Sequence, residues 1–396
     1  MPRTPPSTLT LILLTGLSVL TTNMIAPSLP SIAEDLGTSY ATVSLAIAGY
    51  LAVTAPLQLI LGPLSDRVGR RPVLLVGLAV FVAASLGAAL AQSAAVFLAC
   101  RLAQAAMTAG GGLSMAIVRD TATPQEAAAR LGIIATAMAL APMLGPMVGG
   151  ALDAAFGWRS NFWIYAGGGA MLLALVWVDL GETRPPRSAG APRPSSWPLL
   201  ADARFLGFAG TVALSTGAFF VFIAGAPAVA QSAFGIGAAT LGAVIGSITA
   251  GFMAGSFVSS RIARTHRLTT LMLAGRVIAC AGLTLGLTFA LIADATPVTT
   301  FGATLCVGFG NGLTMPSSNS GALSARPDLA GSAAGLLGAL NVGTGAALTA
   351  IAGALLSWHP TPALLLALML AVSLGALGIT LWLRATGADE AAASPA

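Results

Sequence analysis

Lysine is absent from this 396-residue chain, so all 18 of its basic residues are arginines. Charge of either sign is scarce: charged residues make up 8% of the sequence, about a third of the roughly 25% that a soluble domain carries. That deficit excludes a chain whose surface is built for water. Histidine occurs twice, as His266 and His359, both at the edges of apolar runs. The three cysteines, Cys100, Cys280 and Cys306, each lie in a separate apolar run, too scattered for a disulfide framework or a metal-ligand set. No paired acids could hold a metal, and no polar stretch is long enough for a separate catalytic domain. Most enzymes are excluded on these grounds, and neither a cofactor nor a metal is expected. The net charge of +5 does not by itself call for a nucleic acid partner, because the placement of the arginines decides what they mean.

What the sequence has is apolar length. Hydrophobic residues make up 56%, with 47 glycines and a mean hydropathy of +0.88. Apolar stretches lie at about 9–28, 40–61, 73–91, 94–117, 131–152, 161–180, 205–228, 236–258, 268–292, 297–318, 330–356 and 362–383. Each is near the ~20 residues that a helix needs to cross the hydrocarbon core. The first lacks a small-residue cleavage site and reads as a membrane anchor rather than a signal peptide. Twelve spans put both termini on one side, and sorting the arginines by alternate loops puts all but three there. The exceptions are Arg159 on the opposite side and Arg101 and Arg276 inside spans. By the positive-inside rule both termini are cytoplasmic.

The only long polar connection is 181–203, rich in Pro, Arg and Ser. It divides the chain into an N-terminal six-helix bundle (1–180), a cytoplasmic linker (181–203), a C-terminal six-helix bundle (204–384) and a cytoplasmic tail (385–396). Ser65-Asp66-Arg67-Val68-Gly69-Arg70-Arg71 and Ser259-Ser260-Arg261-Ile262-Ala263-Arg264-Thr265 match at an offset of 194 residues, close to half the chain. Two like-oriented halves are the parallel repeat of rocking transporters, whose substrate site lies near the bilayer midplane.

The string Gly62-Pro63-Leu64-Ser65-Asp66-Arg67-Val68-Gly69-Arg70-Arg71-Pro72 is the strongest local signal. Gly62 and Gly69 permit close approach and a tight turn, and Asp66 sets a carboxylate beside three guanidiniums at the start of the next helix. Such charges can form a cytoplasmic latch. An ordinary basic loop would need neither Asp66 nor the glycines. This string resembles the signature loop G-x-L-x-D-R-x-G-R-R of the major facilitator superfamily. The resemblance implies an all-α integral membrane protein with the major facilitator fold, 12 transmembrane helices in two pseudo-symmetric six-helix bundles.

The resemblance covers nearly the whole chain. Pro142, Gly145, Pro146, Gly149 and Gly150 in span five look like the G-P-x-x-G-G motif of the drug antiporter branch, a small-residue face bent by prolines. Span eight has matching faces at Gly242 with Gly246 and Gly251 with Gly255, so spans five and eight are expected to pack closely across the halves. Arg101-Leu102-Ala103-Gln104-Ala105 resembles the R-x-x-Q-G motif, with Ala105 for its glycine. A guanidinium this deep costs at least ~2.5–3.5 kcal/mol and should face the interior; the alternative is snorkelling to the nearer surface. Arg119 and Asp120 look like the R-D pair of related exporters and join the latch. The ninth-span Arg276 is divided between function and snorkelling.

Span one, from Asn23 through Met24, Pro27 and Pro30 to Ala33, is similar to the D-M-Y-L-P-A-L-P-x-I-A stretch of the Bcr/CflA group of drug-resistance exporters. That resemblance implies a bacterial cytoplasmic-membrane exporter of small amphipathic drugs, phenicol-like, driven by protons. The chain departs at the acid, which is Asn23 here and cannot titrate. Proton coupling then falls to Asp120, Asp153 or Asp35, or is absent, which leaves a facilitator or exporter of sugars or metabolites as the alternative. A sensor or integral membrane enzyme is a third reading, opposed by the missing output domain and metal ligands.

Residues costly to face lipid outline the cavity: Asn23, Met24, Tyr50, Gln58, Arg101, Gln104, Met115, Asn311, Ser317, Asn319 and Asn341, with Phe219 and Phe220 as apolar walls. Each polar member could equally be interhelical glue. One cation among amides suits neutral or weakly anionic amphiphiles better than dications. The expected partners are that substrate, protons and the lipid bilayer around a monomer.

Overall fold

The computed structural model of the chain describes residues 7–183, 197–263, 265–293, 295–326 and 329–387. Linker residues 184–196, tail residues 388–396 and the Arg119 side chain lie outside the described residues, as do several side chains between 124 and 143. No strand occurs among the described residues. The chain divides into two units, Met1–Pro192 and Arg193–Ala396.

In the first unit, α1 (Thr8–Asn23) passes through a 3-10 turn at Ala26–Ser28 into α2 (Leu29–Asp35). The Pro27 and Pro30 rings, which carry no N–H, sit at the two helix starts, where the donor is not needed. Then come α3 (Tyr40–Val68), α4 (Arg70–Ala89), and α5 (Ala94–Ala103), which runs through a second 3-10 turn at Gln104–Met107 into α6 (Thr108–Thr121). The unit ends with α7 (Pro124–Phe156), started by a capping box between Thr123 and Glu126, and α8 (Arg159–Asp179). Within it α4 packs along α8, and α1 against α6 and α7.

The second unit has a short α9 (Trp197–Leu200), then α10 (Ala203–Phe234), α11 (Ala238–Ile262), α12 (Leu268–Ile292), α13 (Pro297–Ala325), α14 (Ala330–Trp358) and α15 (Pro362–Ala385). Helix α10 packs against α13, α14 and α15. It is buried along most of its length because it is apolar on every side.

Taking α1 with α2 and α5 with α6, these helices make twelve segments of membrane-spanning length. Among the described residues, ten are both long and apolar enough to cross a bilayer. Of the other two, α13 is diluted by Asn311, Ser317, Ser318 and Asn319, and α7 counts only through Leu144–Phe156, because much of its first half lies outside the described residues.

The glycine faces close helix pairs inside each unit. A β-carbon at Gly149 would run into the Met24 carbonyl, and one at Gly145 would come 3.1 Å from the Leu20 side chain, so α7 lies on the end of α1. In the second unit, Gly251 and Gly255 meet the α13 backbone at Leu305 and Phe309, while Gly308 and Gly312 meet α11 at Ile248 and Phe252. Each of Gly145, Gly149, Gly251 and Gly255 thus has a close neighbour within its own unit. Pro142 and Pro146 lie inside a continuous α7, where Pro146 and Gly150 are buried.

Candidate functional site

Helix α5 starts on a Ser93 cap and carries Arg101 near its end, one turn before Gln104. Residues three apart share a helix face, and the Arg101 Nη1 donates to the Gln104 Oε1 at 2.6 Å. The guanidinium also donates to the Ala46 carbonyl of α3 (3.3 Å) and the Thr21 carbonyl of α1 (3.2 Å), and it lies over the Tyr50 ring at 4.9 Å. It is 0% exposed, so it does not snorkel. The other end of the Gln104 amide donates to the Ser85 hydroxyl of α4 (2.7 Å), and the Tyr50 hydroxyl sits among those of Thr22, Thr54 and Thr108. Four helices of the first unit thus converge on one cation, which no carboxylate among the described residues contacts.

Asn23 ends α1 two residues beyond Thr21. It is 4% exposed, and its Oδ1 has no hydrogen-bond partner. Met24 is buried against Gly149. Gln58 and Met115 are half-buried on α3 and α6.

The remaining expected residues belong to the second unit, and there the organising group is Arg276. It is fully buried on α12, donating to the Asn311 Oδ1 (2.6 Å) and the Thr314 hydroxyl (3.0 Å) of α13, with its Nη1 unpartnered. Asn311 passes a hydrogen bond on to the Ser215 carbonyl of α10 (3.0 Å). The Phe219 and Phe220 rings pack edge-on at 5.8 Å, with Phe220 against Gly345. Asn319 is half-buried on α13, as is Asn341 on α14, whose Oδ1 is buried without a partner.

At the turn between α3 and α4, Gly69 adopts φ 115°, a conformation that L side chains rarely take. Arg70 binds Asp66 (2.9 Å), Asp120 at the end of α6 (3.1 Å) and the Ser65 hydroxyl. Gly69, the N-cap of α4, has no side chain to cap the helix, and Glu182 does so instead. Its carboxylate accepts from the Arg70 N–H (2.9 Å) and the Arg71 N–H (3.4 Å), favourably placed at the positive end of the helix. Arg71 lies over the Trp177 ring at 5.3 Å and donates to its carbonyl at 2.8 Å, near the negative end of α8. Arg67 is exposed. Gly62 departs from its expected role of close approach: it lies inside α3, and a β-carbon there would meet nothing within 4 Å.

The other two candidate acids are also engaged. Asp35 binds Arg159 at 2.6 Å and accepts from the Trp158 Nε1 at 3.3 Å, and Asp153 accepts from the Ser31 hydroxyl at 2.6 Å.

Sequence reasoning missed Glu182, Ser85, Thr54 and Thr108. Serine and threonine leave little trace in an apolar helix, because their hydroxyls can bond to their own backbone one turn back. Glu182 was counted as linker, and nothing in the sequence ties it to a turn 112 residues earlier.

A family model described as Major Facilitator Superfamily matches residues 11–342. The chain is 37% identical over 220 residues to a chloramphenicol resistance protein of Pseudomonas aeruginosa, a match covering 54% of this chain and about half, 52%, of that relative. It is 33% identical over 323 residues to the multidrug resistance protein MdtL of Escherichia coli, covering 79% of this chain and 80% of the relative. Among solved structures, a bacterial homolog of the human lysosomal transporter Spinster, inward-facing and occupied, superposes with a TM-score of 0.72 over 98% of both chains. At 15% identity that likeness speaks for the fold alone.

Proposed function

Because the chain belongs to the major facilitator superfamily of membrane transporters, we propose that it exports small amphipathic drugs, phenicols among them, by alternating access in exchange for protons. It works as a monomer in the bacterial inner membrane with both termini in the cytoplasm, the side on which the arginines concentrate. The observation that carries the reading is the buried Arg101 cluster: one guanidinium, a glutamine amide and hydroxyls, with no carboxylate among the described residues in contact. A binding site built around such a cluster would favour neutral or weakly anionic amphiphiles over dications. The names of the Pseudomonas and Escherichia relatives support the same class of substrate.

Chloramphenicol accumulation in cells expressing the protein should fall below that of empty-vector cells, and uptake into inverted vesicles should require an imposed pH gradient. Unchanged accumulation across a drug panel would remove the exporter assignment. A second reading, transport without protons, is favoured by the neutrality of Asn23 and by the engagement of Asp35 and Asp120 with arginines. Uptake that persists when the gradient is dissipated selects it.

Asn23→Asp separates the two further. A buried carboxylate introduced there would give a side chain that cannot titrate the means to do so, so transport should change by about threefold or more between pH 6 and 8. Identical pH profiles for parent and variant would deny position 23 any part in coupling.

A further inference from the structure

The first span is interrupted between α1 and α2, and the 3-10 turn at the break, which ends on Ser28, packs against α7. Interrupted helices offer main-chain oxygens to ions, and the C-terminal end of a helix carries partial negative charge, so a junction of this kind attracts cations. Side-chain oxygens gather here as well. The Ser31 hydroxyl lies 2.6 Å from the Asp153 Oδ2 and 3.1 Å from the Ser28 carbonyl, with one proton to give to two acceptors. Asp153 stands in the last turn of α7. Asn161, in the first turn of α8 and 0% exposed, donates its amide N–H groups to the Ser28 hydroxyl (3.2 Å) and the Gly149 carbonyl (3.3 Å). The Oδ1 of the same amide is buried without a hydrogen-bond partner. A buried acceptor without a donor is costly, and a cation relieves it as a hydrogen bond would.

Charge selects the ion. Asp153 is the only carboxylate in this oxygen set, and among the described residues no arginine pairs with it, whereas Asp35, at the end of α2, is held by Arg159 and Trp158. Among the described residues no three acids, histidines or cysteines come together, so a divalent ion or a transition metal would lack its ligands. One carboxylate beside hydroxyl, carbonyl and amide oxygens balances a single positive charge, and oxygen donors suit a hard ion. Ser31 and Asp153 are half-buried, which leaves a way in from water, while Ser28 and Asn161 are fully buried. We propose that this junction binds one sodium ion, held by the Asp153 carboxylate, the Ser31 hydroxyl oxygen, the Ser28 carbonyl and the Asn161 Oδ1. The ion replaces the Ser31 proton between the oxygens, and the hydroxyl turns its hydrogen away. The proposal concerns binding alone and stands independently of what the protein carries.

Equilibrium binding of radioactive sodium to the purified full-length protein tests it, in choline chloride buffer of constant ionic strength. The parent should bind one sodium ion per chain saturably, with unlabelled sodium chloride displacing the label and choline chloride failing to do so. Asp153→Asn should weaken binding by about tenfold or more. Ser31→Ala should do the same although it leaves every charge in place, which separates ligation from the general attraction of an acidic surface. Should D153N fail to give a monodisperse helical protein, S31A carries the test alone. Absence of saturable binding by the parent overturns the proposal, as does parental affinity in S31A. Displacement of the label by choline as readily as by sodium would reduce the binding to screening of surface charge and overturn it equally.

Discussion

Arg101→Gln is expected to reduce export to background while the amount of folded protein in the membrane stays within about twofold of the parent. Two opposing effects set that outcome. The substitution removes three buried donor contacts, to Ala46, Thr21 and Gln104, each worth about 0.6–1.7 kcal/mol inside a membrane, or about 2–5 kcal/mol together. It also removes a charge whose insertion costs about 2.5–3.5 kcal/mol. The balance is small, so stability changes little. Only the guanidinium can bridge α1 and α3 and hold Gln104 at once, so the geometry of the cluster is lost. Arg101→Lys should fall between the two, because an ammonium keeps the charge and lacks the planar fork. Drug uptake into inverted vesicles, with protein quantified in the same membranes, checks the series; parental uptake by R101Q would mean that the cluster is purely structural.

Arg70→Ala should produce the second large effect, this time on stability. Arg70 joins the start of α4 to the ends of α3 and α6 through Asp66 and Asp120. Asp120 is only 15% exposed, so removing its cation strands a largely buried carboxylate. Breaking a fully buried pair costs ~3–5 kcal/mol; discounted for the exposure that remains, the loss is about 2–3 kcal/mol. Asp66→Asn should behave differently. Asp66 is 40% exposed, and an i,i+4 pair on a helix surface contributes about 0.3–0.5 kcal/mol. D66N should therefore insert and fold like the parent yet transport less well, if the pair biases the conformational equilibrium. Thermal unfolding of the purified variants beside vesicle uptake separates the two behaviours. Equal stability losses for R70A and D66N would contradict this division of labour, and full transport by D66N would count against a latch.

The helices were legible in the sequence because membrane spans announce themselves by apolar length. Their interruptions were less so. Pro27 and Pro30 mark the break after α1, whereas nothing distinguishes Gln104–Met107 from the helices on either side. A lone guanidinium in an apolar run is likewise conspicuous, and Arg101 and Arg276 stand out at once. Their partners do not, since two of the acceptors of Arg101 are main-chain carbonyls, which every residue has. The glycines show the limit most clearly. A small-residue face says that something comes close, but the spacing is the same whichever neighbour comes, and Gly145 and Gly149 face α1. Gly62 and Gly69 share a motif, yet only Gly69 needs its missing side chain, because only its backbone turns into the left-handed half of conformational space.

The seam between α11 and α13 has a mechanical meaning. Ordinary helix contacts slide by letting side chains hop between rotamers. Where Gly251, Gly255, Gly308 and Gly312 bring main chain against main chain, there is nothing left to hop. The pair must travel as a single stiff plank in any motion that either joins, and a methyl group added at the seam would prise the plank apart rather than loosen it by degrees.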